Sequence, residues 1–179
     1  MVGKKVTLRA LEPSDLPLLY KWENAPDNWV VSGTTTPFSQ HTLQQYIDSP
    51  QDLFLQRQLR LMVVENESRR AVGTVDIFDF DPANQRAGLG ILIAADARRR
   101  GYGLESIRLA TDYLFTFAHV HQVYCNIMTD NPISIGLFQK AGFEVCGRKR
   151  DWIRTADGFC DELMLQHLHP DRNNQSSNI

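Results

Sequence analysis

Cysteine is scarce: Cys125, Cys146 and Cys160 are odd in number and widely spaced, with no Cys-x-x-Cys and no adjacent histidine pair, which excludes a full disulfide framework and a structural zinc site. The histidines are no better grouped. His119/His121 and His167/His169 are spaced to share a strand face, but no carboxylate or cysteine cluster supports either pair, so no metal is expected. Long apolar runs are absent too: none approaches the roughly 20 residues of a membrane span, and charges occupy 1–12, where a signal peptide needs its apolar stretch. Neither sign of charge is in excess, since 19 Lys+Arg against 21 Asp+Glu leave a net charge of −2. No global field therefore draws the chain to nucleic acid or to an anionic membrane. These absences predict a soluble, cytoplasmic chain whose partners are small or specific. With 179 residues, 42% of them hydrophobic, the chain suits one domain over 1–168, followed by a polar stretch at 169–179 expected to be a disordered tail.

Strand and helix patterns alternate along the chain. Val6, Leu8 and Ala10 alternate with Lys5, Thr7 and Arg9 in a strand pattern. Ser14 is placed to cap a helix carrying Leu16, Leu19 and Tyr20, with Pro17 tolerated in its first turn. Residues 27–37 have turn formers and aromatics without a period and read as a loop. Ser39 caps a second short helix with Leu43, Tyr46 and Ile47. Residues 59–65 and 71–80 then form an apolar hairpin around a polar turn, and 81–84 turns into a third strand, completing an antiparallel meander. A long helix over about 102–118 follows, then a strand at 122–128. Asn131 caps a short helix with Pro132 in first position and Gly142 past its end. A last strand pair closes around Asp157-Gly158.

The 86–105 stretch organises the rest. Ile91, Leu92 and Ile93 make a buried-strand run, Arg98, Arg99 and Arg100 follow, and Gly101 and Gly103 bracket Tyr102 where the stripe Leu104, Ile107, Ala110, Leu114 begins. A strand feeding a helix through glycines aims free backbone N–H groups and the positive end of the helix dipole at one spot, and the arginines add cationic side chains, a setting for a diphosphate. A plain connecting turn with solvated arginines uses the same residues.

Two motifs stand at the two strand-to-helix turns: Arg98-x-x-Gly101-x-Gly103, and Asn131-x-x-Ser134-x-x-x-Phe138-x-x-x-Gly142-Phe143. With them the chain, over roughly 4–167, resembles the GNAT family of N-acetyltransferases. It is most similar there to the branch of bacterial spermidine/spermine acetyltransferases and ribosomal-protein N-terminal acetyltransferases, whose style the 8–16 segment and Trp22-Glu23-Asn24 share. The resemblance implies an α/β (α+β) fold, with a mixed, mostly antiparallel sheet of about seven strands, helices on both faces and splayed central strands. It implies acetyl-coenzyme A as co-substrate. The pantetheine arm would pair with the backbone of Ile91, Leu92 and Ile93. The diphosphate would sit on the N–H groups of Arg98, Arg99, Arg100, Gly101, Tyr102 and Gly103, Asn131 would hydrogen-bond the pantetheine side, and Phe138 would pack beside the thioester. The implied acceptor is a primary amine of a polyamine or similar small molecule, with Trp22 and Glu23 in the acceptor-side segment. The resemblance also admits homo-oligomerisation through the terminal hairpin or the helical face.

Acyl transfer to an amine needs neutral nitrogen. An alkyl ammonium with a pKa near 10.4 is neutral in roughly one part in a thousand at physiological pH, a handicap of about 4 kcal/mol. The departing thiolate, with a pKa near 8.5, needs less help. The chain departs from the family at both stations. Phe138 stands where the family commonly has Tyr and cannot donate a proton, and Gly88 stands where it often has Glu. Asp76 on the preceding strand becomes the candidate base, acting through water, with an ordinary polar strand residue as the alternative. Tyr124 and Tyr102 are the alternative acids. Glu23 and Asp27, with Trp22 and Trp29, put carboxylates among aromatics, which suits a cationic amine. Two further functions stay open: a protein N-terminal acetyltransferase, which needs an open peptide groove, and an acyl-coenzyme A-binding module without turnover, suggested by Phe138 and Gly88.

Overall fold

The computed structural model describes residues 1–32 and 34–170. The aliphatic runs become seven strands: β1 (Val6–Ala10), β2 (Leu59–Glu65), β3 (Ala71–Asp81), β4 (Arg86–Ile93), β5 (Gln122–Met128), β6 (Glu144–Thr155) and β7 (Gly158–Leu168). They join in one sheet of order β1-β2-β3-β4-β5-β7-β6. Helices α1 (Leu16–Glu23), α2 (Pro26–Ser32), α3 (Gln40–Asp48) and α4 (Leu53–Gln56) lie between β1 and β2, α5 (Tyr102–Thr116) between β4 and β5, and α6 (Pro132–Lys140) between β5 and β6. Every neighbouring pair is antiparallel except β4/β5. The reason is the α5 crossover, since a connection of that length returns the next strand parallel.

Around β2 both faces of the sheet are covered, which is why Leu61–Val64 is an unbroken apolar run rather than an alternation. Leu61 and Val63 join Val6, Leu8, Val75, Ile77 and Leu89 in a cluster closed by Ile107, Ala110 and Leu114 of α5. Met62 and Val64 point the other way, into a smaller cluster with Leu19 and Trp22 of α1 and Leu43 and Ile47 of α3. Glu105 in the first turn of α5 ties the two ends of the chain's first half together, its carboxylate accepting the backbone N–H groups of Lys4 (2.5 Å), Lys5 (2.8 Å) and Val6 (3.2 Å).

Two local expectations are corrected. Ser14 is not the cap of the first helix: it lies inside a 3-10 turn over Pro13–Asp15 that has Glu12 at its N-cap and leads into α1, whose own N-cap position is Asp15. Buried Asp15 accepts from the Glu12 N–H at 2.9 Å and from both terminal nitrogens of Arg9 at 2.6 and 2.7 Å, a stronger anchor than a serine hydroxyl offers. Part of the 27–37 loop is helix α2. Pro26 presets its first turn, and links from side chain to backbone fasten it: Asn28 Nδ2 donates to Trp22 O at 2.9 Å and Trp29 Nε1 to Glu23 O at 2.8 Å. Helix α4, one turn long and unread in the sequence, is nucleated by Asp52, whose Oδ1 accepts from Phe54 N and Leu55 N. Of the tail expected at 169–179, His169 is tied down, its N–H donating to His121 O at 2.9 Å, and 171–179 lies outside the described residues. No helix among those described is long and apolar enough to cross a membrane.

Candidate functional site

Strands β4 and β5 pair over only three positions, Arg86↔Gln122, Ala87↔Val123 and Gly88↔Tyr124, and then part. Beyond Gly88, β4 is paired only with β3 and β5 only with β7. Main-chain groups of a strand alternate sides, and Ala94 N donates to Val72 O at 2.9 Å next to β3, so Leu89, Ile91 and Ile93 turn their N–H and C=O into the gap. The Ile93 carbonyl is already met there by Arg98 Nε at 3.0 Å. Leu92, by the same alternation, has its main chain on β3, and its side chain packs against the α1/α3 cluster. Of the run Ile91, Leu92 and Ile93, it is thus Ile91 that turns both its N–H and its C=O to the gap with neither met by Arg98.

The turn after β4 ends on Gly101 at φ +87, a left-handed conformation that glycine adopts without strain. As N-cap it has no side-chain oxygen to offer, so the first amides of α5 at Tyr102, Gly103 and Leu104 are left without a capping acceptor. Lys5 Nζ donates to Arg100 O at 2.9 Å and pins the turn from β1. The side chains of Arg98, Arg99 and Arg100 are all exposed. A Cβ on Gly103 would stand 3.2 Å from Leu137 and 3.6 Å from Ile93, so glycine lets α5 settle against α6 and β4. Open amides at a helix N-terminus beside a strand with a free edge fit the diphosphate and arm of acetyl-coenzyme A.

On α6, Asn131 Oδ1 accepts from Ser134 N at 3.1 Å, which leaves its Nδ2 as the group available to a ligand. Phe138 is buried and sits edge-on to Phe143, ring centroids 5.0 Å apart. Tyr102 donates to Glu65 at the far end of β2. Tyr124 lies in register with Gly88 and donates to Asp79 Oδ2 at 3.2 Å. Burial first, and the Asp79 charge second, push its phenol above the usual range, making it a weaker acid.

The face of the sheet that carries Asp76 has two rows across the strands. Arg60, Asp76 and Gly90 are in register in one, and Phe78, Gly88 and Tyr124 in the next. Two glycines leave bare backbone between Asp76 and the gap. A Cβ on Gly88 would come within 2.2 Å of the Phe78 ring, so that ring occupies the space a glutamate would need. Asp76 Oδ1 accepts from Arg60 Nε, while Oδ2 has no partner among the described residues. Arg60 Nη1 reaches Glu23 Oε1 at 2.5 Å, and the guanidinium lies over the Tyr46 ring, 5.6 Å from its centroid. Burial opposes charge on Arg60, but the Asp76 and Glu23 carboxylates outweigh it and hold its pKa above the usual arginine range.

Sequence reading thus placed Asp76 and Glu23 on one site but missed Arg60, Tyr46 and Lys5. A signal for Arg60 existed: alternation along β2 puts it on the same face as buried Met62 and Val64, where a charge requires partners. Trp22, expected at the acceptor, is 7% exposed and packs in the α1/α3 cluster. Among the described residues no group of three His, Cys, Asp or Glu is placed to hold a metal ion.

Residues 5–144 match the model of the acetyltransferase (GNAT) domain. Over 153 residues the chain is 23% identical to a spermidine N(1)-acetyltransferase of Vibrio cholerae, an alignment covering 79% of this chain and 80% of that one. It is 24% identical, again over 153 residues, to a spermidine N(1)-acetyltransferase of Escherichia coli, covering 79% and 74%. Among solved structures, spermidine N-acetyltransferase from Vibrio cholerae in complex with CoA and spermine superposes with a TM-score of 0.82 at 22% identity, over 93% of this chain and 96% of that one. A dodecameric form of that enzyme superposes with a TM-score of 0.79 at 22% identity, over 98% and 100%.

Proposed function

Since the chain belongs to the GNAT family and is an acetyl-coenzyme A-dependent N-acetyltransferase, we propose that it acetylates a primary amine of a small polyamine or similar alkylamine. The observation that carries this reading is the Oδ2 of Asp76, without a partner among the described residues, beside the bare backbone of Gly88 and Gly90, on the strand whose other edge opens into the gap. Relatives that act on spermidine support it, and the dodecameric neighbour supports assembly into an oligomer.

Acetyl-coenzyme A supplies an acetyl group activated as a thioester. The open amides of Tyr102, Gly103 and Leu104 bind its phosphates, and Ile91, with the Nδ2 of Asn131, orients its arm along β4. Asp76 Oδ2 holds the incoming ammonium through a water and takes its proton by that route, leaving the neutral nitrogen to attack the thioester carbonyl, which answers the larger of the two chemical demands. Phe138 gives no proton, and a thiolate with a pKa near 8.5 leaves without one. A thiol-release assay with spermidine, spermine, simple diamines and short peptides tests the acceptor class: turnover of amines is expected, and turnover of peptides alone overturns it.

A further inference from the structure

We propose that Arg60 sets the charge of the acceptor that this site takes: its guanidinium fills the seat between Glu23 and Asp76 that a second ammonium would occupy, so the site favours monoamines and short diamines over longer polycations. The inference rests on the reading above and narrows it. Glu23 and Asp76 together bring two negative charges, but arginine stays protonated under all ordinary conditions, so the three groups leave one net negative charge for the acceptor. They are not surface groups free to be screened, with side-chain exposures of 14% for Glu23, 19% for Arg60 and 30% for Asp76. Like-charge repulsion is correspondingly stronger than in water. Arg60 also uses the aromatic face that an amine would seek, since it, and not the acceptor, lies over Tyr46. Asp76, the most exposed of the three, keeps one oxygen unengaged among the described residues, which is room for one ammonium.

The test compares kcat/KM for butylamine, 1,4-diaminobutane, spermidine and spermine in the wild type, Arg60→Gln and Arg60→Lys. Freeing the carboxylates in Arg60→Gln is expected to raise the spermine-to-butylamine ratio about tenfold, the worth of one additional charged hydrogen bond. Arg60→Lys, which keeps the charge, is expected to hold the wild-type ranking. A ratio unchanged in Arg60→Gln overturns the inference. Should that variant fail to fold with two carboxylates facing each other, Glu23→Gln serves instead. It leaves the cluster neutral and is expected to weaken spermine more than butylamine, and equal effects on both overturn the inference. A wild type inactive on every amine overturns the acceptor class itself, whereas activity on amines with a ranking indifferent to these substitutions overturns the role of Arg60 alone.

Discussion

A side chain at position 88 has to share space with the Phe78 ring, whose Cε2 lies 2.2 Å from where a Cβ would stand. Gly88→Ala is therefore expected to destabilise the protein by about 1–3 kcal/mol through overpacking, measured by urea unfolding, with Phe78→Ala in the same chain restoring part of the loss. Asp76→Asn keeps the shape but removes the charge. It is expected to lower kcat/KM for amines by at least about tenfold while leaving the Kd for acetyl-coenzyme A, read by calorimetry, within about twofold. A full-rate variant would strip Asp76 of its part in proton transfer. Gly88 and Phe138 were legible as departures because they sit at fixed offsets within motifs. Arg60 was not, because its partners stand 16 and 37 residues away, and only strand register and the docking of α1 bring them together.

Among the elements, β4 and α5 were legible because a long periodic stripe and paired glycines leave few alternatives. Helices α2 and α4 were not, each being held by a pair of side-chain-to-backbone hydrogen bonds that carry no period. The start of α5 makes the sharper prediction. Gly101→Val forces a β-branched residue to φ +87 and puts its Cβ 3.1 Å from Lys5 Nζ, so acetyl-coenzyme A affinity is expected to fall at least about tenfold as the first-turn amides are displaced. Calorimetric titration checks this. At the entry to α1, Asp15→Asn leaves Arg9 without its charge partner, and a loss of about 3 kcal/mol is expected. Burial alone would raise the Asp15 pKa, yet the Arg9 hydrogen bonds and the Glu12 N–H bring it below the usual carboxylate value. The folded pKa is depressed, so this stabilisation is complete above an unfolded value near 3.9 and disappears as pH falls through the folded one.

For the whole molecule, a second step on the same acid limb, at less acidic pH, belongs to His167 on β7. It packs edge-on to Phe115 and Phe143 at 5.4 and 5.3 Å, and burial lowers its pKa despite the opposing pull of Asp112 and Glu144. The unfolded chain takes the proton first, so stability is full above an unfolded pKa near 6.5 and declines as pH falls toward the folded value. His167→Phe is expected to flatten that decline in thermal melts between pH 7 and pH 5, about the window of an exposed histidine. The parting of β4 from β5 has a consequence at the same scale. Four strands on one side and three on the other share just three ladder positions, so the sheet is least cohesive along the seam where its co-substrate is expected to lie. A molecule bridging that seam replaces missing rungs, adding about 2.7 kcal/mol at a hundredfold excess over its Kd and slowing amide exchange at Ile91. Catalysis and mechanical integrity then draw on one and the same line of contact, and a cell that depletes its acetyl-coenzyme A would also be loosening this enzyme.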